Sequence, residues 1–360
     1  MVLPSTNSIV KWPWWPVCVP LSKRLTLPLP STANPVVQPS RLALACANRL
    51  FEAADNRERF LQALMTPPAY PATVLWCGEP AAALPFAALP PLPWQPPWVS
   101  RFVAGSPTGQ HPLHAAGAYY CLDSSSVFAA VPLLTLPQEP SLVIDVCAAP
   151  GGKSLFAWRS LHPRYLICNE TIGKRVGKLI GNLKRCRVHP VGVTSWDSEV
   201  LAAEFQGTAD VVIVDAPCSG QSLLAKGQKA EGCFHPLTIR HNQRRQKRIL
   251  AAATTLVRPG GWLLYSTCTF SQDENEDVAA WLMAKFPHLL PQPVPALAAY
   301  QSHLAAFPCY RLWPHQGEGA GAFTILWQHQ GKGESNPLPD LGNRRAFGDR
   351  WRWQSSSQPA

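Results

Sequence analysis

The stretch Ser141-Leu-Val-Ile-Asp-Val-Cys-Ala-Ala-Pro-Gly-Gly-Lys-Ser154 leaves few ways to fold. An apolar run from Leu142 to Val146 leads into a proline, two glycines, a lysine and a serine. That order reads as a buried parallel strand, a tight turn and the start of a helix. Glycines permit dihedrals that other residues resist, and they let a ligand approach the main chain. Free amides at the helix start favour a polar or anionic group. In open α/β sheets such turns lie at the carboxyl ends of strands, where nucleotides bind. An ordinary strand–turn–helix junction shows the same local pattern, so the stretch needs support from elsewhere. A phosphate-binding P-loop is excluded. It requires a glycine five positions before Gly152, and Cys147 stands there.

The chain beyond keeps alternating. A helix is expected from about Ser154, then a strand Tyr165–Cys168 ending at Asn169-Glu170. The next helix carries Ile172, Val176, Leu179, Ile180 and Leu183 on one face, with Lys174, Arg175, Lys178 and Arg185 opposite. Strand Val188–Val193 precedes Asp197, and strand Val211–Val214 ends in Asp215-Ala-Pro-Cys-Ser-Gly220. A helix from about Leu237 to Val257, a turn at Arg258-Pro-Gly-Gly261 and a strand Trp262–Ser266 complete the series. This alternation predicts a doubly wound parallel sheet with both faces buried. A later segment, Gly317–Trp327, reads as a turn into an antiparallel edge strand.

Ahead of this domain, residues 1–39 read as a disordered leader rather than a signal peptide, because Pro13, Pro16 and Pro20 interrupt any apolar core. Residues 40–115 read as a small module. Helical spacing runs from Arg41 to Met65, broken near Asp55-Asn56, with either residue as the second cap. Residues 66–98 are proline-rich, with Val74-Leu75-Trp76 as a short strand. Trp94 and Trp98 suit either base stacking or a small core, the core being the commoner use. Gly117–Asp123 reads as a strand leading to a short helix at 124–130. Residues 116–330 form the larger domain, and 331–360 read as a disordered polar tail.

Charge and cysteines narrow the class. The 32 Lys and Arg against 22 Asp and Glu leave a net charge of +10. Such a surplus points to a polyanion, nucleic acid first. The 11 cysteines have no C-x-x-C spacing, so neither a disulfide framework nor a metal site is indicated. A reducing, cytoplasmic location is expected, and no run approaches the ~20 apolar residues that a bilayer span needs. A monomer is expected.

Glu170, Asp197 and Asp215 end successive strands, on the sheet edge that also carries the glycine turn. An acid after the second strand can accept both hydroxyls of a ribose, and Asp197 can reach an adenine amino group. Each acid alone is more often a helix cap; their regular placement favours an adenosine-containing cofactor. The G-x-G-x-x-G spacing of a dinucleotide site is missing, which points away from NAD. Cys218 and Cys268 lie just beyond two further strands. A cysteine is usually a buried small hydrophobe, but these two share the edge of the cofactor turn.

At these residues the chain resembles the RsmB/Nop2/Sun group of RNA (cytosine-5)-methyltransferases. Asp145-Val-Cys-Ala-Ala-Pro-Gly-Gly-Lys153 resembles its cofactor motif, Asp215-Ala-Pro-Cys218-Ser-Gly its first cysteine motif and Ser266-Thr-Cys268-Thr its second. Gly117-Ala-Tyr-Tyr with Ser125-Ser126 resembles its opening segment, and Gly317-Glu-Gly319 with Phe323 its closing strand. Ser154 stands where threonine is common, Leu122-Asp123 replaces a Gln-Glu pair, and residues 66–98 match poorly. No NusB-like or PUA domain is recognisable.

The resemblance implies a class I S-adenosylmethionine-dependent methyltransferase, α/β and Rossmann-like, with a mostly parallel seven-stranded sheet and a small N-terminal α+β RNA-binding module. S-adenosylmethionine would sit on Cys147, Ala148, Ala149, Pro150, Gly151, Gly152, Lys153, Glu170, Asp197 and Asp215. Cys268 would be the nucleophile and Cys218 would assist product release. Asp215 would bond the cytosine N3/N4 edge. Lys153 would either lower the thiolate pKa or simply pair with Asp215. The implied partner is RNA, ribosomal RNA ahead of transfer RNA, with no metal or membrane. Two other readings stay open: an RNA-binding assembly factor that has lost activity, and a methyltransferase for protein or a small molecule.

Overall fold

Two helices open the described part of the chain because Ser40 and a helical run of Leu and Ala start the first one. In the computed structural model, which describes residues 38–341 and 351–355, α1 (Arg41–Leu50) is capped by Ser40 Oγ accepting from Ala43 N at 3.2 Å. The leader expected over residues 1–39 lies almost wholly outside the described residues. α2 (Ala54–Met65) begins ahead of the expected cap: Ala53 is the N-cap and Asp55 sits in the first turn. There its charge complements the helix N-terminus instead of capping it.

β1 (Ala72–Trp76), β2 (Val99–Phe102), a short helix α3 (Pro112–Ala115) and β3 (Tyr119–Leu122) follow. The three strands form an antiparallel sheet in the order β2-β1-β3. A boundary between residues 115 and 116 therefore cuts this sheet, since β3 lies beyond it and pairs with β1. From Gln38 onward the chain is one compact unit. The proline-rich stretch packs inward: Trp94 is buried edge-on to Phe128 and Trp98 packs on Phe156. Both tryptophans fill a core, as such residues usually do.

Asp123 accepts from Ser125 N at 2.8 Å and caps α4 (Ser124–Ala130). The alternation then runs β4 (Val143–Asp145), α5 (Gly152–Leu161), β5 (Leu166–Asn169), α6 (Gly173–Arg185), β6 (Val191–Thr194), α7 (Ser198–Glu204) and β7 (Ala209–Asp215). After the short α8 (Ser222–Ala225) come α9 (Pro236–Leu256), β8 (Val257–Thr267), α10 (Glu276–Lys285), β9 (Leu289–Pro291), β10 (Tyr310–Leu312), β11 (Ala322–His329) and β12 (Trp351–Gln354).

These strands build one mixed sheet of nine strands in the order β10-β11-β8-β7-β4-β5-β6-β12, with β9 also on β11. β4 to β8 are parallel and the outer four antiparallel. The fold class is as expected, but the strand count is nine rather than seven. The seven positions from β6 to β10 are extended by β9 and β12. β12 also corrects the tail, in which no order was expected. Trp351 lies across Gly192, where an added Cβ would come within 2.5 Å of the indole, and Lys184 Nζ stands 5.4 Å from the Trp353 ring. The polar composition masked a Trp-Arg-Trp alternation that suits the free edge of β6. Among the described residues no helix is long and apolar enough to cross a membrane.

The two segments before the sheet are locked to it at close approaches. Gly117 has φ +75°, and a Cβ there would lie 1.7 Å from the Arg185 carbonyl oxygen. Arg185 itself donates to the carbonyls of His114 and Tyr119 at 2.7 and 3.1 Å. On the far side, buried Glu276 and Arg311 pair through two hydrogen bonds, and Arg311 also donates to the Phe270 carbonyl at 3.0 Å. Removing one partner leaves the other charge buried and unmatched. Glu276→Ala is therefore expected to cost about 3–5 kcal/mol, seen as a lower urea midpoint at an unchanged slope.

Candidate active site

Five parallel strands place their carboxyl ends on one edge, and the turns there carry the polar residues. After β4, Asp145 is fully buried; its carboxylate accepts from Ser154 Oγ at 2.6 Å and from Cys147 N at 3.3 Å. Burial pushes Asp145 up to about 7, against the hydrogen bond from Ser154. Asp145 thus shapes the turn from beneath. Gly151, at φ +113°, begins α5 with no side-chain cap, so the first amides of α5 are left for another partner. A Cβ on Gly151 would press on Leu179 Cδ1 at 3.3 Å.

Asn169 ends β5 fully buried and ties three turns together. Its amide donates to the carbonyls of Val146 and Trp196, and its oxygen accepts from Thr194 Oγ1 and Trp196 N. Glu170 follows; one oxygen accepts from Ile172 N at 2.8 Å and the other pairs with Arg175 at 3.0 Å. Arg175 also donates to the Ala149 carbonyl, strapping the Glu170 turn to the glycine turn. Asp197 caps α7 by accepting from Glu199 N at 3.1 Å and pairs with Arg248 at 3.2 Å. It is a helix cap and a cavity wall at once. Glu170, Asp197, Asp215, Cys147, Cys218 and Cys268 all line one cavity of about 260 Å³. A second cavity, of about 210 Å³, shares Cys147 and Asp215 with the first and adds Tyr120, Asp123, Lys153 and Lys226.

The cysteines meet at this junction. The sulfurs of Cys218 and Cys268 are 3.1 Å apart, Cys268 being exposed and Cys218 half-buried. Lys153 Nζ lies 2.8 Å from Asp215 Oδ2, and Ser266 Oγ donates to Oδ1 at 2.8 Å. The hydrogen bond from Cys218 holds the Cys268 thiol below the ordinary cysteine range; partial desolvation by the surrounding walls and the Asp215 charge oppose it, and Lys153 and Lys226 assist it. The same contact, with burial, holds the Cys218 thiol well above that range. The contact between the two sulfurs thus favours ionisation of Cys268 over Cys218.

The family model described as 16S rRNA methyltransferase RsmB/F matches residues 132–327. The chain belongs to that family. Ribosomal RNA small subunit methyltransferase F of Cronobacter sakazakii is 33% identical over 203 residues, 55% of this chain and 42% of that protein. The protein of the same name from Escherichia coli O139:H28 is 34% identical over the same length and shares. The chain thus spans less than half the length of these curated relatives. The structure of NSun6 from Pyrococcus horikoshii with SFG superposes with a TM-score of 0.71 at 17% identity, covering 81% of this chain and 99% of that one. A methyltransferase homolog protein from Pyrococcus horikoshii gives 0.63 at 21%, covering 80% and 99%. At these identities the likeness is one of fold: the Rossmann-like sheet of S-adenosylmethionine-dependent methyltransferases.

The cavity of this RsmB/F-family chain fits that cofactor. Uncapped α5 amides, a glycine turn without side chains and carboxylates on three successive strand ends are the donor set of an adenosine-bearing cation. Residues Cys147 to Lys153 would form the floor, with Glu170, Asp197 and Asp215 as the acids. Sequence reasoning missed Arg175, Ser266 and Asn169. Arg175 looked like one more base on an exposed helix face, and Ser266 and Asn169 gain their meaning only from neighbouring strands.

Proposed function

We propose that this protein methylates C5 of cytosine in RNA, ribosomal RNA being the favoured substrate. The observation that carries the reading is the pair of cysteine sulfurs, 3.1 Å apart, beside the Lys153–Asp215 pair on the rim of the cofactor cavity. C5 of cytosine is a poor nucleophile. The Cys268 thiolate adds at C6, breaks the ring's aromaticity and moves electron density to C5. S-adenosylmethionine, when bound, supplies an electrophilic methyl group at this edge of the sheet. A base takes the C5 proton, the freed electron pair restores the C5–C6 double bond, and the C6–S bond breaks to return the Cys268 thiolate, a release that Cys218 assists. Asp215 Oδ1 and Oδ2 each keep a lone pair beyond Ser266 and Lys153, available to the cytosine amino group.

The target atoms are hidden in a stacked base, so the nucleotide comes flipped or single-stranded. Exposed Lys174, Lys178, Arg240 and Arg244 supply phosphate contacts around the edge. The 40–115 segment, with the strand that completes its sheet, is the RNA-binding module of this reading.

The test is product identity. The protein is incubated with unmethylated small-subunit ribosomal RNA or with transfer RNA and labelled S-adenosylmethionine, and nucleosides are resolved by mass spectrometry. 5-Methylcytidine from ribosomal RNA supports the proposal; label only in transfer RNA moves the substrate; no label and no cofactor binding by calorimetry favour a silent assembly factor. A second expectation concerns Lys153. Its charge favours the Cys268 thiolate, so the rate rises with pH as that thiol ionises, and Lys153→Met moves this rise to higher pH. An unmoved profile makes Lys153 a purely structural partner of Asp215.

A further inference from the structure

The turn Glu274-Asn275, which follows Cys268 beyond β8, has no place in the mechanism above, yet both side chains are fully buried and both are spent on the cysteine loops. Glu274 Oε2 accepts from Ser219 N, the amide next to Cys218, at 2.9 Å. Its Oε1 accepts from Ser219 Oγ at 2.5 Å. Gln246 Nε2 donates to Oε2 at 2.9 Å and to the Pro217 carbonyl at 3.1 Å. Of the residues flanking Cys218, Ser219 thus hangs on the carboxylate directly and Pro217 through Gln246. Asn275 does the same for Cys268. Its Oδ1 accepts from Thr267 Oγ1 at 2.5 Å and its Nδ2 donates to the Thr269 carbonyl at 2.9 Å, so it grips the residues on both sides of that cysteine.

The two grips are joined. Ser219 Oγ and Thr269 Oγ1 are 2.7 Å apart. A serine hydroxyl has one proton, and here it goes to Glu274, so Thr269 donates to Ser219. Tyr265 Oη fixes the turn itself by donating to the Glu274 carbonyl at 2.6 Å. Every buried polar atom of the two side chains that faces a loop is satisfied, which is what rigidifies a polar network.

We infer that Glu274 and Asn275 are positioning residues, each assigned to one cysteine: Glu274 sets the Cys218 loop through Ser219 and, by way of Gln246, through Pro217, and Asn275 sets the Cys268 loop through Thr267 and Thr269. This rests on the proposed division of labour between the cysteines and extends it to the residues that hold each thiol in place. Adjacent residues are then expected to give opposite kinetic defects. Glu274→Ala loosens the release cysteine, so the first methyl transfer proceeds and a covalent RNA–protein species persists. Asn275→Ala loosens the nucleophile, so that species forms slowly and does not build up.

The experiment is a single-turnover assay on the full chain with the RNA that it methylates. Covalent complex is read on denaturing gels and methyl transfer by label, beside Cys218→Ala and a thermal-melt control. A misplacement of about 1 Å in a reacting group costs on the order of 100-fold. Glu274→Ala is expected to slow steady-state turnover on that scale while leaving the first turnover within a few-fold, and Asn275→Ala to slow the first turnover itself. Glu274→Gln can rotate to accept from Ser219 N and Gln246 while its amide donates to Ser219 Oγ, so it is expected to restore most turnover. Equal losses in both phases for both alanine variants, tracking their melting temperatures, overturn the inference. So does adduct build-up in Cys218→Ala but not in Glu274→Ala. If Cys218→Ala itself builds up no adduct, the division of labour between the cysteines fails instead. A folded Glu274→Ala that still traps adduct would then show that the grip acts apart from the Cys218 thiol and would overturn the assignment made here.

Discussion

Replacing Cys268 with alanine is expected to remove methyl transfer to RNA, by about 1,000-fold or more, the scale on which losing a nucleophile acts. Without a sulfur at C6 the ring stays aromatic and C5 gains no electron density. Cys218 is a second sulfur at 3.1 Å, so its failure to substitute needs a reason. The reason is protonation: the contact between the sulfurs goes with Cys268, but burial and the Glu274 charge still hold the Cys218 thiol up, whereas the cations Lys153 and Lys226 act at the Cys268 position. The measurement is label transfer together with covalent complex on a denaturing gel, and both should vanish. Persistent methylation by the variant would assign the nucleophile to Cys218.

Cys218→Ala is expected to do the reverse. Addition and methyl transfer need only Cys268, so methylated RNA should form and stay attached to the protein, with turnover falling by about 100- to 10,000-fold, the range of general acid–base assistance. One complication has a definite sign. The Cys218 hydrogen bond is the largest influence lowering the Cys268 thiol, so its removal raises that thiol and slows addition near neutral pH. Adduct should therefore build up faster at alkaline pH in Cys218→Ala than at neutral pH. Cys218→Ser, which keeps a donor, should show less of this dependence. A variant that turns over normally would separate Cys218 from product release.

The glycine turn after β4, the alternation of strands and helices and the two cysteines at strand ends were legible because each is local. An apolar run reads as a buried strand whichever neighbour it pairs with, and a Gly-Gly step after it needs no partner to be recognised. β12 was not legible, since its few residues are strand only because β6 offers a free edge. That β3 completes the sheet of the N-terminal segment was not legible for the same reason, because it is joined to β1 by pairing across the sequence. Asp197 was read as a cofactor acid or a cap, and it is a cap that also walls the cavity.

Sequence alone thus determined the class of fold, the glycine turn beside the candidate cavity and which two thiols share its edge, for these follow from residue type and spacing along one stretch of chain. Tertiary structure alone decided how those groups are poised. The Lys153–Asp215 pair, the Ser266 contact, the Arg175 strap and the Glu274-Asn275 turn join residues far apart in the chain. A charge or hydrogen bond acts over a few ångströms of space whatever the sequence separation, and only the folded sheet brings those groups that close.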